Sequence, residues 1–208
     1  ACGPAGSGGL CLSGPPGTGK SAFARYLADQ MHMPVLERRA SDLLDPYVGG
    51  SERNIADAFA EARDTGAFLI FDEVDTLLRS RERASHRWEV SQVNEMLTWM
   101  DCHPLPFACT TNLSDQLDPA TARRFNLRVN FLPLGLEQRE ACFRQFFQIE
   151  PSANLAHLDQ LTPGDFAVVA KRIQLLGITA PEDILAELRR EQAAKPNMRN
   201  PVGFRAAC

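Results

Sequence analysis

The stretch Gly14-Pro15-Pro16-Gly17-Thr18-Gly19-Lys20-Ser21 decides the fold of this chain. It matches G-x-x-x-x-G-K-[ST] at every fixed position, follows the apolar residues 10–12 and precedes a helix-like segment, 22–31. This strand, loop and helix order is the context that the motif requires. Its glycines allow a tight turn in which backbone N–H groups and the start of the helix face a polyphosphate. Lys20 is predicted to reach the β- and γ-phosphates, and the Ser21 hydroxyl is predicted to ligate Mg²⁺.

Two carboxylates follow Phe68-Leu69-Ile70-Phe71, a continuous apolar run that is typical of a strand buried on both faces. Ligands bind outside the carboxyl ends of parallel strands, so we expect Asp72 and Glu73 beside the phosphate loop. Asp72 is suited to hold Mg²⁺, and Glu73 is a candidate base that orients the attacking water. Acids that merely cap a strand are the alternative, but the phosphate loop favours the functional interpretation. The adjacent glutamate indicates an ATPase, and no N-K-x-D motif of a GTPase is present.

Three further polar residues extend the candidate catalytic set. Asn112 ends the apolar run that begins at Phe107, where its amide can sense the γ-phosphate or hold the water, although asparagine is also a common turn residue. Arg123 and Arg124 end a short helix, and they fit an arginine finger that reaches the γ-phosphate of a neighbouring subunit better than a solvated charge pair. An active site completed by a neighbour predicts a head-to-tail ring.

Strand and helix patterns alternate up to about residue 132, and only helix patterns follow. The chain is therefore predicted to contain an α/β nucleotide domain, residues 1–132, and a small helical domain, residues 133–208. In the first domain, Ser51 is predicted to cap a helix that runs to about Arg63. In the second, we predict a helix over 135–149 with an aromatic-rich buried face formed by Leu136, Cys142, Phe143, Phe146 and Phe147. Two further helices are predicted from Pro163 to Leu176 and from Pro181 to Ala194.

Composition restricts the class of protein. The hydrophobic fraction of 44% and the charged fraction of 23% are ordinary for a soluble globular protein. With no apolar run of membrane-spanning length and no secretory leader, we expect no membrane partner. The net charge of -4 makes nucleic acid an unfavourable partner. Six cysteines without C-x-x-C spacing indicate reduced thiols in a cytoplasmic protein, not disulfides or zinc ligands.

Together these motifs resemble the AAA+ superfamily, and specifically its AAA branch. The phosphate loop resembles Walker A, residues 68–75 resemble Walker B, residues 110–112 resemble the sensor-one strand end, and residues 117–125 resemble the arginine-finger stretch. The resemblance implies a P-loop NTPase fold, which is a three-layer αβα sandwich with a parallel five-stranded sheet in the order 5-1-4-3-2. It also implies a helical lid over the nucleotide and hexamers that thread substrates through a central pore.

The resemblance assigns roles to further residues. Tyr47 and Val48 look like the aromatic pore loop that grips polypeptide, and residues 79–88 look like a second pore loop. Gly164 and Asp165 resemble the start of the lid helix near the nucleotide. The chain departs from the family pattern because Arg123 and Arg124 are adjacent instead of being separated by Pro-Gly, and because Asp101-Cys102-His103 replaces D-G-F.

We therefore expect an ATP-driven, ring-forming protein remodeller that uses ATP and Mg²⁺ and acts on polypeptide. The first strand begins almost at once, which suggests a portion cut from a longer protein and is compatible with a monomeric fragment. Two alternatives remain open: a nucleotide-gated assembly or regulatory protein, and a nucleic-acid-handling relative. Stimulation of hydrolysis by unfolded protein would favour the remodeller, and stimulation by DNA would favour the nucleic-acid-handling relative.

Overall fold

The computed structural model describes residues 8–47, 49–75, 77, 87–112 and 119–195. Contacts along the backbone divide the chain into two units, residues 1–132 and 133–208. Two hydrophobic clusters fill the first unit and a third fills the second.

The first unit is built around one parallel sheet. Strands β1 to β5 are Gly9–Ser13, Val35–Arg39, Phe68–Asp72, Phe107–Thr111 and Leu127–Asn130. Helices α1 to α5 are Lys20–Gln30, Ala40–Leu43, Gly50–Thr65, Arg87–Cys102 and Pro119–Ala122. The strands pair in the order β2-β3-β4-β1-β5, and all pairs are parallel. This is the order 5-1-4-3-2 that the resemblance implied, so the predicted fold class is confirmed.

Both faces of the sheet are covered, because successive strand side chains point to opposite faces. Leu69 and Phe71 of β3 belong to a cluster with Phe59 of α3. Phe68 and Ile70 belong to a second cluster, with α1 residues Ala24 and Ala28. The apolar run of β3 is therefore buried on both sides, as predicted, and the unit is a three-layer αβα sandwich.

The start of α3 differs from the prediction. Gly49, with φ 83°, is the N-cap, so the prediction of Ser51 as the cap was wrong. Ser51 is buried inside the helix, where its Oγ accepts a hydrogen bond from the Asp45 N–H at 2.9 Å. A Cβ at Gly50 would lie 2.4 Å from Asp45 Cγ. The turn before α3 thus packs tightly against Asp45. The Ser51 hydroxyl accepts a hydrogen bond from the Asp45 backbone and therefore does not cap the helix.

Helices form the described part of the second unit. They are α6 (Leu136–Phe147), α7 (Pro163–Leu176), α8 (Pro181–Ala193) and a short 3-10 helix, Ala153–His157. The aromatic face of α6 is only partly buried, contrary to expectation: Phe143 and Phe147 are buried, whereas Phe146 and Leu136 are 38% and 43% exposed. Residues 143 and 147 are one turn apart and share the core face, while Phe146 lies at its margin.

None of the helices in the described ranges combines the length and the apolar character that crossing a bilayer requires.

Candidate nucleotide site

Strand register brings the predicted site residues to one edge of the sheet. Ser13 of β1 pairs with Thr111 of β4, and Phe71 of β3 pairs with Cys109. Asp72 therefore lies beside Thr110. Because the strands are parallel, their carboxyl ends share the edge from which the phosphate loop leaves β1.

The phosphate loop has the backbone of an anion cradle. Gly14, Gly17 and Gly19 all have positive φ, at 137°, 77° and 93°. At Gly14 a side chain is excluded outright, since a Cβ would lie 2.2 Å from the Phe131 carbonyl oxygen. Within the described residues, the N–H groups of Gly17, Thr18 and Gly19 donate to no protein acceptor. Consecutive unpaired donors at the start of an 11-residue helix suit a polyphosphate.

Lys20 connects the loop to the neighbouring strand. Its Nζ donates to Gly14 O at 2.8 Å, to Pro15 O at 3.0 Å and to Asn112 Oδ1 at 2.9 Å. Burial lowers the pKa of the Lys20 ammonium from its ordinary value. Three carboxylates oppose this shift in the pKa, in falling order Asp75, Asp72 and Glu73. The Lys20 ammonium therefore lies within electrostatic range of three acids, and this excess of negative charge suits a metal cation bound together with the phosphates.

Ser21 and Asp72 form an oxygen donor pair. Ser21 Oγ donates to Asp72 Oδ1 at 2.5 Å, although the residues are 51 positions apart. Mg²⁺ prefers oxygen ligands and is usually bound through one or two protein groups, with water and phosphate oxygens completing its shell. Among the described residues no group of three or more His, Cys, Asp or Glu side chains is placed to hold a metal. The pair fits Mg²⁺ of that kind and does not fit a site made of protein ligands alone.

Glu73 leaves the strand in an unusual backbone conformation. It is exposed, and its φ of 56° lies in the left-handed region that residues with a Cβ rarely adopt. Its N–H donates to Thr110 Oγ1 at 3.0 Å, and the N–H of Val74 donates to Thr110 O at 3.1 Å. The turn that carries Glu73 is thus held by β4.

Two residues at this edge of the sheet, Thr110 and Asp75, were not predicted from the sequence to be site residues. Asp75 Oδ1 accepts hydrogen bonds from the Asn112 N–H at 2.9 Å and from the Thr111 hydroxyl. Thr110 donates to Asp72 Oδ1 at 2.6 Å. Two sequence features could have indicated them. Thr110 and Thr111 end an otherwise apolar strand, and Asp75 is a third acid that follows Asp72 and Glu73. Their partners depend on strand register, which residue types alone do not give.

The two candidate finger arginines have different environments. Arg124 forms an ion pair with Asp101 at 3.0 Å and donates to Ala120 O at 2.8 Å. Arg123 is exposed, and within the described ranges its side chain has no hydrogen bond or ion pair. Arg124 is therefore engaged within its own subunit, whereas no described residue of that subunit engages the guanidinium of Arg123.

Tyr47 stands on the tight turn before α3. Its side chain is 80% exposed, its N–H donates to Asp45 Oδ1 at 2.8 Å, and its carbonyl accepts from the Gly50 N–H at 3.0 Å. Tyr47 is thus an exposed aromatic residue whose backbone is held by hydrogen bonds to Asp45 and Gly50. Val48, residues 79–86 of the second predicted pore loop, and residues 117–118 of the finger stretch lie outside the described residues.

Gly164 and Asp165 lie at the start of α7 in the second unit. Asp165 Oδ2 accepts hydrogen bonds from the Thr162 N–H at 2.6 Å, the Thr162 hydroxyl at 2.9 Å and Lys195 Nζ at 2.5 Å. These contacts form a capping box with an added ion pair. The carboxylate is thus used inside the unit, and a place for these residues near the nucleotide rests on the resemblance alone.

Known proteins share this sequence pattern. The ATP-dependent zinc metalloprotease FtsH 3 of Sphaerobacter thermophilus is 34% identical over 88% of this chain and 38% of that protein. Spastin of Anopheles gambiae is 35% identical over 75% of the chain and 20% of spastin. The mitochondrial inner membrane m-AAA protease component AFG3L2 of Mus musculus is 30% identical over 89% of the chain and 26% of that protein. The chain thus spans well under half the length of each of these relatives.

A family model covers most of the first unit. The model of the ATPase family associated with various cellular activities (AAA) matches residues 10–132, which include the phosphate loop and the ends of β3 and β4. The sheet order agrees with this match, and so does the position of the matched site residues at the carboxyl edge of the sheet. The chain therefore belongs to the AAA family and is an ATPase domain of it.

Proposed function

We propose that this domain binds ATP with Mg²⁺ at the carboxyl edge of the sheet, hydrolyses it there, and works in a ring that remodels polypeptide substrates. The hydrogen bonds that join the phosphate loop to the ends of β3 and β4 carry the proposal: Ser21 to Asp72 and Lys20 to Asn112. They bring together the phosphate-binding, metal-binding and water-positioning groups that phosphoryl transfer requires.

Each residue has a defined part. Lys20 and the unpaired N–H groups of residues 17–19 bind the β- and γ-phosphates, and Ser21 and Asp72 hold the Mg²⁺. Bound Mg²⁺ neutralises charge on the phosphate oxygens. Glu73 accepts a hydrogen bond from the attacking water and orients it, and Asn112 holds that water or the γ-phosphate.

Replacement of the base tests the chemistry. In the full-length protein, Glu73→Gln should reduce ATP turnover by about 10²- to 10⁴-fold while ATP binding persists, because the amide keeps the shape of the side chain but cannot act as a base. Glu182→Gln, at an exposed position of α8, is the matched control and should leave turnover unchanged. Wild-type turnover in Glu73→Gln would refute the assigned chemistry.

The ring proposal is supported by the open guanidinium of Arg123. An arginine finger supplied by a neighbour contributes about 10³- to 10⁵-fold to the rate, so Arg123→Ala should lower turnover on that scale. Mixing Arg123→Ala with Glu73→Gln subunits should restore part of the turnover, because some interfaces then combine an intact Glu73 with an intact Arg123. Arg189→Ala, at an exposed arginine of α8, is the control. Failure of mixed rings to regain turnover would contradict an arginine acting between subunits.

The polypeptide proposal is supported by the exposed ring of Tyr47 and by the names of two relatives, an ATP-dependent metalloprotease and a protease component. Tyr47→Ala should remove stimulation of turnover by an unfolded protein and preserve basal hydrolysis. Tyr26→Ala, at a tyrosine of α1 that is 55% exposed, is the matched control. Stimulation by DNA instead of unfolded protein would favour the nucleic-acid alternative.

We also propose a cytoplasmic location, as the cysteines suggest. Burial raises the pKa of the Cys11 thiol to about 11 and raises that of Cys109 as well, so neither thiol is reactive. Free thiols of this kind suit a reducing compartment. Recovery of the full-length protein in a membrane or secreted fraction would contradict the location.

A further inference from the structure

Thr110 is a polar residue in the middle of the sheet. It lies on β4, between β1 and β3, and is 1% exposed. The two residues before it, Ala108 and Cys109, are fully buried and apolar in character. A hydroxyl in such a place needs hydrogen-bond partners, since an unpaired buried hydroxyl is destabilising.

The Thr110 hydroxyl has one partner in each role. It donates to Asp72 Oδ1 at 2.6 Å and accepts from the Glu73 N–H at 3.0 Å. Asp72 Oδ1 also accepts from Ser21 Oγ at 2.5 Å. In the described part of the chain no donor approaches Asp72 Oδ2. The two hydroxyls therefore fix the rotation of the carboxylate and leave its second oxygen for a metal ion or its water ligands.

The same residue holds the backbone of Glu73. The left-handed φ of 56° at Glu73 changes the direction of the chain directly after β3, and the surroundings must maintain such a conformation. Thr110 does so twice, through its hydroxyl to the Glu73 N–H and through its carbonyl to the Val74 N–H at 3.1 Å. Val74, fully buried, anchors the far side of the turn.

We propose that Thr110 is a positioning residue for hydrolysis: one buried hydroxyl sets the orientation of the Asp72 carboxylate and the backbone from which Glu73 reaches the attacking water. This inference rests on the proposed function, because it assumes the roles of Asp72 and Glu73 given above. Among the described residues, the Thr110 hydroxyl bonds to Asp72 and Glu73 and to none of the phosphate loop, so it acts only through those two acids.

The test removes the hydroxyl without changing shape. Thr110→Val keeps the β-branched side chain and the backbone carbonyl but loses both side-chain hydrogen bonds. Loss of a group that orients a metal ligand typically costs about 10- to 100-fold in activity or metal affinity. In the full-length protein we expect kcat to fall by about that factor, with KM for ATP within about twofold of the wild type, because the phosphate loop is unchanged. The Kd for Mg²⁺, measured without turnover through binding of a non-hydrolysable ATP analogue, should rise by a similar factor.

Two further variants separate the hydroxyl from packing. Thr110→Ser restores the donor and acceptor and should recover most of the turnover. Cys109→Ala, a neighbouring core position with no bond to the site acids, should lower the melting temperature but keep kcat. Should Thr110→Val fail to fold, Thr110→Ala takes its place, since it removes the same two hydrogen bonds.

The outcomes distinguish this inference from the proposed function. If the wild type does not hydrolyse ATP, or Glu73→Gln hydrolyses it normally, the proposed function fails. If the wild type is active and Glu73→Gln is not, then wild-type kcat and Kd for Mg²⁺ in Thr110→Val would overturn the role of Thr110. Equal loss of kcat in Thr110→Val and Thr110→Ser would also overturn it, because the hydroxyl would then be irrelevant.

Discussion

Asp72 in the first unit and Asp165 in the second both collect hydrogen bonds, but they use them differently. Asp165 is 7% exposed, and its Oδ2 takes three donors, two of them from Thr162, which is three residues away. Asp72 takes hydroxyls from Ser21 and Thr110, which are 51 and 38 positions away, and both bond to one oxygen. Each carboxylate is thus bonded at one oxygen, and the two differ in where their donors come from. Asp165 is bonded by the start of its own helix and by Lys195, so it stabilises the second unit. Asp72 is bonded by the start of α1 and by β4, so its orientation depends on the assembled edge of the sheet.

Of the changes that probe this comparison, the largest effect should come from Asp75, the acid that orients Asn112. Asp75→Asn replaces an acceptor of the Asn112 N–H with a side chain that also carries a donor, and it removes one of the charges that face Lys20. We expect turnover to fall by about 10- to 100-fold with less than about 1 kcal/mol lost in the free energy of unfolding. Steady-state ATPase assays and urea denaturation measure the two quantities. If stability fell and turnover did not, Asp75 would belong with Asp165 as a structural acid.

At Asp165 we expect the reverse, which is a loss of stability and not of turnover. Asp165→Ala removes the cap of α7 and the partner of Lys195, which should cost about 2 kcal/mol of unfolding free energy. Lys195 keeps part of its exposure to water, so its charge is not left fully buried. Asp183→Ala, at an exposed acid in the first turn of α8, should cost only a few tenths of a kcal/mol. A loss of ATP affinity in Asp165→Ala without a loss of stability would instead support the lid role that the resemblance implies.

These two aspartates also show what the sequence could and could not predict. The phosphate loop, the buried strand before Asp72 and the helix starting at Pro163 are local patterns, and each formed where predicted. The sheet order came from the resemblance and not from periodicity. The roles of Thr110 and Asp75 depend on the alignment of β3 with β4, which is a tertiary property. Ser51 was misassigned because Gly49 and Ser51 both suit an N-cap, and only the fold shows that Asp45 binds the hydroxyl.

A smaller effect is expected in the core of the first unit, at His103. The residue is 3% exposed, its ring lies 5.1 Å from that of Phe59, and in the described part of the molecule its Nε2 has no hydrogen-bond partner. Burial, assisted by the positive charge of Arg63, lowers the pKa of His103 to about 4. Because the unfolded chain binds the proton near the ordinary pKa of about 6.5, this contribution to stability is complete above that pH and is lost as the pH falls towards 4.

We therefore expect the unfolding free energy to drop by about 1–2 kcal/mol between pH 7 and pH 5 from this imidazole. His103→Phe, which suits the surrounding rings of Phe59 and Phe107, should remove that part of the pH dependence. Urea denaturation followed by tryptophan fluorescence measures it, since Trp99 stacks on Phe59. An unchanged pH slope in His103→Phe would assign the acid sensitivity to other groups.

The long separation between the partners of Asp72 has a consequence for how the domain matures. Residues 21, 72 and 110 lie on α1, β3 and β4, so the edge does not exist until β1, β3 and β4 have found their register. Contacts of such sequence separation form slowly compared with helices and hairpins. A nascent or misregistered chain therefore does not bind nucleotide at this edge. The onset of nucleotide binding during refolding would mark the point at which β1, β3 and β4 have paired in register.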